Sequence, residues 1–297
     1  MILYICTIFS RFFHILDTLP EYYSDIKNDR QDDWMAIEIF NRKEIKYMLD
    51  DVTYNRFISR LEEYMVPDSY SMEGGFYSIC NIYYDTADDL LIRRSIQKPV
   101  YKEKLRLRSY GVPDGDSTAF VEIKKKYKGI VNKRRVKMTL NEAEEYLNNG
   151  TWPKREKLNA QIMRELDFMR ERYELLPKVY LSYDRRAYFD RNDSDFRVTF
   201  DTNIRARRED LDLRKGSYGT SLIADGYRLM EVKISGATPT WFTSLLSEFK
   251  IYPVSFSKYG TEYRRYISDT FYKGDNTICL NQSSVQMRPQ LQPARQC

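Results

Sequence analysis

Between Tyr101 and Lys137 the chain alternates charged and core residues with a period of two, three times in succession. Lys102, Lys104, Arg106 and Arg108 share one parity, with Leu105 and Leu107 on the other. Glu122, Lys124 and Lys126 then alternate with Val121 and Ile123, and Lys133, Arg135 and Lys137 share a face of the third run. Successive side chains of a strand point to opposite faces, so the pattern demands strands with one ionic and one apolar face. The segment holds twelve Lys/Arg against four Asp/Glu, a net of +8, while the whole 297-residue chain is only +5. Its connections, Gly111 to Gly115 with Pro113 and a turn near Gly129, are hairpin-like and make the sheet antiparallel.

The same alternation recurs along the chain. Ile37, Ile39, Ile45 and Tyr47 oppose Glu38, Phe40, Arg42, Glu44 and Lys46 in a strand over 36–48. A helix is predicted from Thr53, with Phe57, Leu61 and Tyr64 on one face, then a strand over 76–84 and a short amphipathic piece over 88–96. Helices follow at 141–148 and 156–172, the second packing Leu158, Ile162, Leu166 and Met169 on the core. Strands resume over 178–189, 196–205 and 227–234, with 206–220 read as an irregular surface loop that includes Arg207 and Arg208. A helix at 239–249, the segment Phe256-Ser257-Lys258-Tyr259 and a last helix to Asp269 close the domain. Residues 35–272 form that domain. Residues 1–34 read as a peripheral extension, with a weak interfacial anchor as the sharper alternative, and 273–297 as a disordered tail.

Composition narrows the chemistry. The single histidine, His14, lies outside every patterned segment, which argues against a histidine-based dyad or a His-rich metal site. Cys6, Cys80, Cys279 and Cys297 have no CxxC spacing and read as reduced thiols of a cytoplasmic protein. No run of 18 apolar residues occurs, so no spanning helix is expected.

Ionic faces on a sheet ordinarily look to water. Here acids sit at fixed offsets among the bases, as Glu44-x-Lys46, Glu122-x-Lys124 and Glu231-x-Lys233, and the outer helices need apolar faces to pack on. An α+β fold satisfies both: an antiparallel closed β-barrel of about eight strands, flanked by helices and enclosing a basic, water-filled tunnel. Such a lumen suits a chain of phosphates, because Lys and Arg make charge-assisted hydrogen bonds to phosphate oxygens.

The ordered set Glu44-Ile-Lys46-Tyr47, Lys104-Leu-Arg106-Leu-Arg108, Glu122-Ile-Lys124, Tyr183-Asp-Arg185, Arg197-Val-Thr-Phe-Asp201, Glu231-Val-Lys233 and Phe256-Ser-Lys258-Tyr259 resembles the VTC domain. This is the polyphosphate polymerase module of the triphosphate tunnel metalloenzyme (CYTH-like) superfamily. The resemblance implies ATP-dependent extension of inorganic polyphosphate. It assigns Arg106, Arg108, Lys124, Arg185 and Lys233 to the reacting phosphates. Lys46, Arg135, Tyr183, Arg197, Ser257 and Lys258 would hold substrate, and Glu231 would ligate Mn²⁺ or Mg²⁺. Ser255 stands where the eukaryotic form of the family carries a second lysine, which removes a charge at one tunnel mouth. Neither an SPX-type regulatory domain nor a membrane pore is implied by these residues. Partners implied are ATP and polyphosphate, without nucleic acid. Two other readings stay open: hydrolysis of triphosphates in the same tunnel, and non-catalytic binding of a polyanion.

Overall fold

The computed structural model describes residues 43–71, 75–128, 130–154, 158–193 and 195–274. The expected extension 1–34, the cysteines other than Cys80, and most of the expected tail lie outside them. Strands β1 (Lys43–Asp50), β3 (Tyr77–Asp85), β4 (Tyr101–Tyr110), β5 (Thr118–Tyr127), β6 (Ile130–Thr139), β7 (Leu176–Asp190), β8 (Arg197–Arg207) and β10 (Tyr227–Ile234) form one antiparallel sheet. Its order is β1-β10-β8-β7-β3-β4-β5-β6, with β2 (Met65–Pro67) added on β7 and β9 (Thr220–Ser221) on β8. The 36–48 strand is thus seen from Lys43 onward, with the expected parity.

Helices cover the apolar face in two groups. Leu105, Leu107, Val121, Ile123, Val136 and Met138 are buried under α3 (Leu140–Asn149) and α4 (Ala160–Arg172), through Tyr146, Leu166 and Met169 among others. Tyr47, Leu49, Val198, Phe200, Met230 and Val232 are buried under α1 (Asp51–Leu61) and α5 (Thr240–Glu248), through Phe57, Leu61 and Phe242. Local chemistry sets the helix ends. Thr139 and Glu142 form a reciprocal capping box on α3, and Gly150 ends that helix at φ +80°, a backbone that disfavours any Cβ. Asn159, not residue 156, caps α4. Tyr64 falls beyond α1 and stacks on Trp241 with centroids 4.4 Å apart, tying α1 to α5.

Three expectations need correction. The sheet is not a closed barrel: among the described residues no ladder joins β1 to β6. The outer edge of β1 is occupied instead, since Val254 donates its N–H to the Lys46 carbonyl at 2.7 Å and Pro253 bridges Tyr47. The sheet curls far enough for side chains to reach across it, with Lys124 Nζ of β5, the strand next to the β6 edge, 3.8 Å from Glu44 of β1. The concave face is also not ionic throughout. Towards one end Tyr83, Val179, Leu181, Ile204, Ala206 and Leu229 form an apolar patch, closed by Ile92 of α2 (Leu90–Ile96) and Tyr259 of α6 (Lys258–Gly274).

The 206–220 segment is no loose surface loop either. Arg207 is buried, donates to the carbonyls of Asp210, Asp212, Gly216 and Tyr218, and stacks on Tyr180 and Tyr218. Arg208 forks onto Glu262 of α6.

Candidate functional site

The ladder registers bring the ionic faces together in two carboxylate-centred groups. The first surrounds Glu122, whose side chain is 1% exposed. Arg106 Nε lies 2.5 Å from Glu122 Oε2, Lys133 Nζ 2.7 Å from Oε1, and Arg108 Nε 3.7 Å from Oε2. Arg106 pairs directly across from Glu122 in the β4–β5 ladder, so alternation and the register of this hairpin together fix the contact. Arg108 reaches the opposite way and donates to Asn81 Oδ1 at 2.9 Å and to the Tyr183 hydroxyl at 3.0 Å. Burial pushes the Glu122 carboxyl up, but Arg106, Arg108 and Lys133 outweigh it and hold the group well below the usual carboxylate range.

The second group is centred on Glu231 and Asp201. Lys258 Nζ lies 2.8 Å from Glu231 Oε1 and 2.6 Å from Asp201 Oδ2. Arg185 forks onto Asp201 at 2.6 and 2.7 Å and approaches Glu231 at 3.5 Å. Lys46 sits 3.4 Å from both Glu231 and Glu44 and donates to the Phe256 carbonyl at 3.0 Å. Tyr183 lies between the groups: it accepts from Arg108, and the Lys258 ammonium stands over its ring at 4.6 Å. Burial would raise both acids, and the neighbouring cations reverse it: Lys258, Lys46 and Arg185 at Glu231, Arg185 and Lys258 at Asp201. Lys258 is held protonated against its own burial by the same two carboxylates.

Two further cations have no ion-pair partner among the described residues. Lys233 follows Glu231 on the same face of β10, and burial followed by Arg185 lowers its pKa to about 8. Lys104 stands over the Tyr259 ring at 5.6 Å, and burial likewise lowers it to about 8. Tyr83, 3.2 Å from Arg106 Nη1, is raised by burial but brought down to about 8 by Arg106 and Lys104. The concave face therefore stores unneutralised positive charge in a poorly solvated space.

The structure thus converges Arg106, Arg108, Arg185, Lys233, Lys46, Tyr183, Lys258 and Glu231. Lys124 stands at the curled edge, 44% exposed. Arg135 stacks on Phe120 at 4.7 Å, and Arg197 pairs with Asp68 at 3.3 Å and stacks on Phe189, so both flank the two groups. Ser257 Oγ accepts from the Gly260 N–H at 3.2 Å, as a cap on the first turn of α6. Asp201, Glu122, Glu44, Lys104 and Lys133 were legible as ionic-face residues but not as site residues. Asn81 and Tyr83 gave no signal, since they lie in a strand that is buried on both faces. Among the described residues no three His, Cys, Asp or Glu side chains converge as a metal site, and no helix is long and apolar enough to cross a membrane.

These features define an α+β protein built on a curled antiparallel sheet with a cationic concave face. The chain belongs to the VTC domain family, whose model matches residues 41–267. It is 27% identical over 274 residues to vacuolar transporter chaperone complex subunit 4 of Trypanosoma brucei brucei, a match covering 76% of this chain and 34% of that protein. The chain therefore spans about a third of that relative's length. Solved structures with some likeness include a putative adenylate cyclase from Bacillus halodurans (18% identity, 72% of this chain and 92% of that one, TM-score 0.45). Another is a putative adenylyl cyclase from Hippeastrum described as having a dominant triphosphatase activity (16% identity, 78% and 95%, TM-score 0.44). Scores this low add nothing to the family assignment.

Proposed function

We propose that the concave face is a phosphate tunnel in which the γ-phosphoryl group of ATP is transferred to a growing inorganic polyphosphate chain. One observation carries this reading: Arg106, Arg108, Arg185, Lys46 and Lys258 are gathered on a few buried carboxylates, beside Lys104 and Lys233, which lack ion-pair partners among the described residues. Lys104 and Lys233, held at reduced pKa by burial, gain most from an entering polyanion. Phosphoryl transfer asks mainly for alignment and charge neutralisation, which such a set can supply. Arg106 and Arg108 would exchange Glu122 and Tyr183 for phosphate oxygens, and Lys258 and Arg185 would do the same from Asp201 and Glu231. A terminal phosphate is already anionic, so the attacking group needs no strong general base.

A divalent ion belongs to the same proposal: Glu231, whose oxygens face Lys258, Lys46 and Arg185, would supply one carboxylate once phosphate draws those cations away, with phosphate oxygens and water as the other donors. When bound it would offset phosphate charge. The relative's membership of a complex makes protein partners part of the proposal.

The test is incubation of the protein with ATP and Mn²⁺, with products sized on a gel. Chains longer than the substrate are expected from the wild type, and at least a hundredfold less from Arg106→Ala, as for loss of a preorganised charge contact. Orthophosphate alone would assign hydrolysis instead. Undiminished synthesis by Arg106→Ala would overturn the site.

A further inference from the structure

One mouth of the concave face carries aromatic rings that phosphate binding does not use. Tyr110 ends β4 two residues beyond Arg108 on the same face, about 7 Å further along an extended strand. Its ring lies parallel to that of Tyr70 within 6°, with centroids 6.0 Å apart, and Tyr70 belongs to the loop after β2. Tyr77 leans on both at 5.5 and 6.2 Å, and Phe120 meets Tyr110 edge-on at 5.8 Å. This cluster continues the cationic face outward. Tyr77 pairs across from Arg185 in the β3–β7 ladder and donates its hydroxyl to Asp68, which also takes Arg197, while Arg135 covers Phe120.

The rings are exposed where core aromatics would not be: Tyr70 is 68% and Tyr110 41% accessible. The other stacked tyrosine pair on the concave face, Tyr83 with Tyr259, is 8% and 3% accessible and presents no free ring face. A chain of phosphates has no π-face to place against such rings. A nucleobase does, and stacking on an aromatic ring is tolerant of base identity because every base has one. Flanking cations favour the sugar-phosphate end of the same ligand.

We infer that Tyr70 and Tyr110 form a stacking platform for the base of a nucleoside triphosphate whose phosphates lie on Arg108 and Arg185. This rests on the phosphate-tunnel reading and adds an orientation: the nucleoside stays at the aromatic mouth, and its phosphates point towards Glu122 and Glu231.

Calorimetric titration of the full chain with ATP and with inorganic tripolyphosphate tests it, using the wild type, Tyr70→Ala, Tyr70→Phe and Tyr110→Ala. The alanine variants should weaken ATP roughly tenfold, the scale of one lost base–aromatic stack. Tripolyphosphate affinity should hold, and Tyr70→Phe should bind ATP like the wild type. If both alanine variants bind ATP unchanged while tripolyphosphate still binds, the platform is refuted and the tunnel stands. If they weaken both ligands equally, the rings serve the fold of the mouth and the platform is again refuted. If the wild type binds neither ligand, the platform and the tunnel reading fall together.

Discussion

Lys233→Met should make the empty protein more stable and the phosphate-bound protein less so. Lys233 lies on the inner face of β10 between Glu44 of β1 and Arg197 of β8 in the ladders. Burial, then Arg185, lowers its pKa to about 8 in the fold. A free lysine titrates near 10.4, and a pKa unit is worth about 1.4 kcal/mol, so holding this charge costs roughly 3 kcal/mol at neutral pH. The sign follows from proton counting. Between about pH 8 and 10.4 the unfolded chain binds the proton that the fold has released, so this group makes stability rise with pH across that window. Below it the whole penalty is present. Methionine keeps the stem and removes the charge. The empty variant should gain about 2–3 kcal/mol near pH 7, roughly 5–10 °C in melting temperature for a domain of this size. At about pH 9.5 the gain should shrink to about 1 kcal/mol. Tripolyphosphate should reverse the order, because an anion beside Lys233 restores the value of the charge and the variant cannot use it. The assay is thermal unfolding at both pH values, with and without tripolyphosphate. An empty variant that melts below the wild type near pH 7 would refute the reasoning. So would a gain that does not change with pH, or equal stabilisation of both proteins by tripolyphosphate.

Glu122→Gln should cost about 3–5 kcal/mol in urea unfolding, because it leaves Arg106, Arg108 and Lys133 around a neutral group. The Glu122 carboxyl is depressed in the fold, so its contribution is full above the unfolded pKa of about 4.3 and fades only on further acidification; a difference from wild type that persists undiminished in strong acid would contradict this. Arg207→Met removes donors to the Asp210, Asp212, Gly216 and Tyr218 carbonyls. It should destabilise by about 2–4 kcal/mol and open residues 208–219 to limited proteolysis, with resistance equal to wild type as the contrary result.

Strand parity was legible wherever charged and apolar residues alternate, but not in β3, which is buried on both faces. Leu105, Leu107, Val121 and Ile123 had to share a buried face, and Arg106, Arg108 and Lys124 the opposite one, because a period of two leaves no choice once a core forms. The helices could be read too, although their ends waited for caps such as Asn159. Three things were decided only in three dimensions. The sheet stays open because a segment some two hundred residues from β1, Pro253–Val254, takes the edge that closure would need. Arg207 became a buried organiser because Tyr180 and Tyr218, far apart in sequence, flank it. The pairing of Lys258 with Asp201 and Glu231, and of Arg108 with Asn81 and Tyr183, depends on how far the sheet curls. Alternation dictates which face a side chain occupies. Curl and register decide which charges meet across it, and those are properties of the whole sheet rather than of any strand in it.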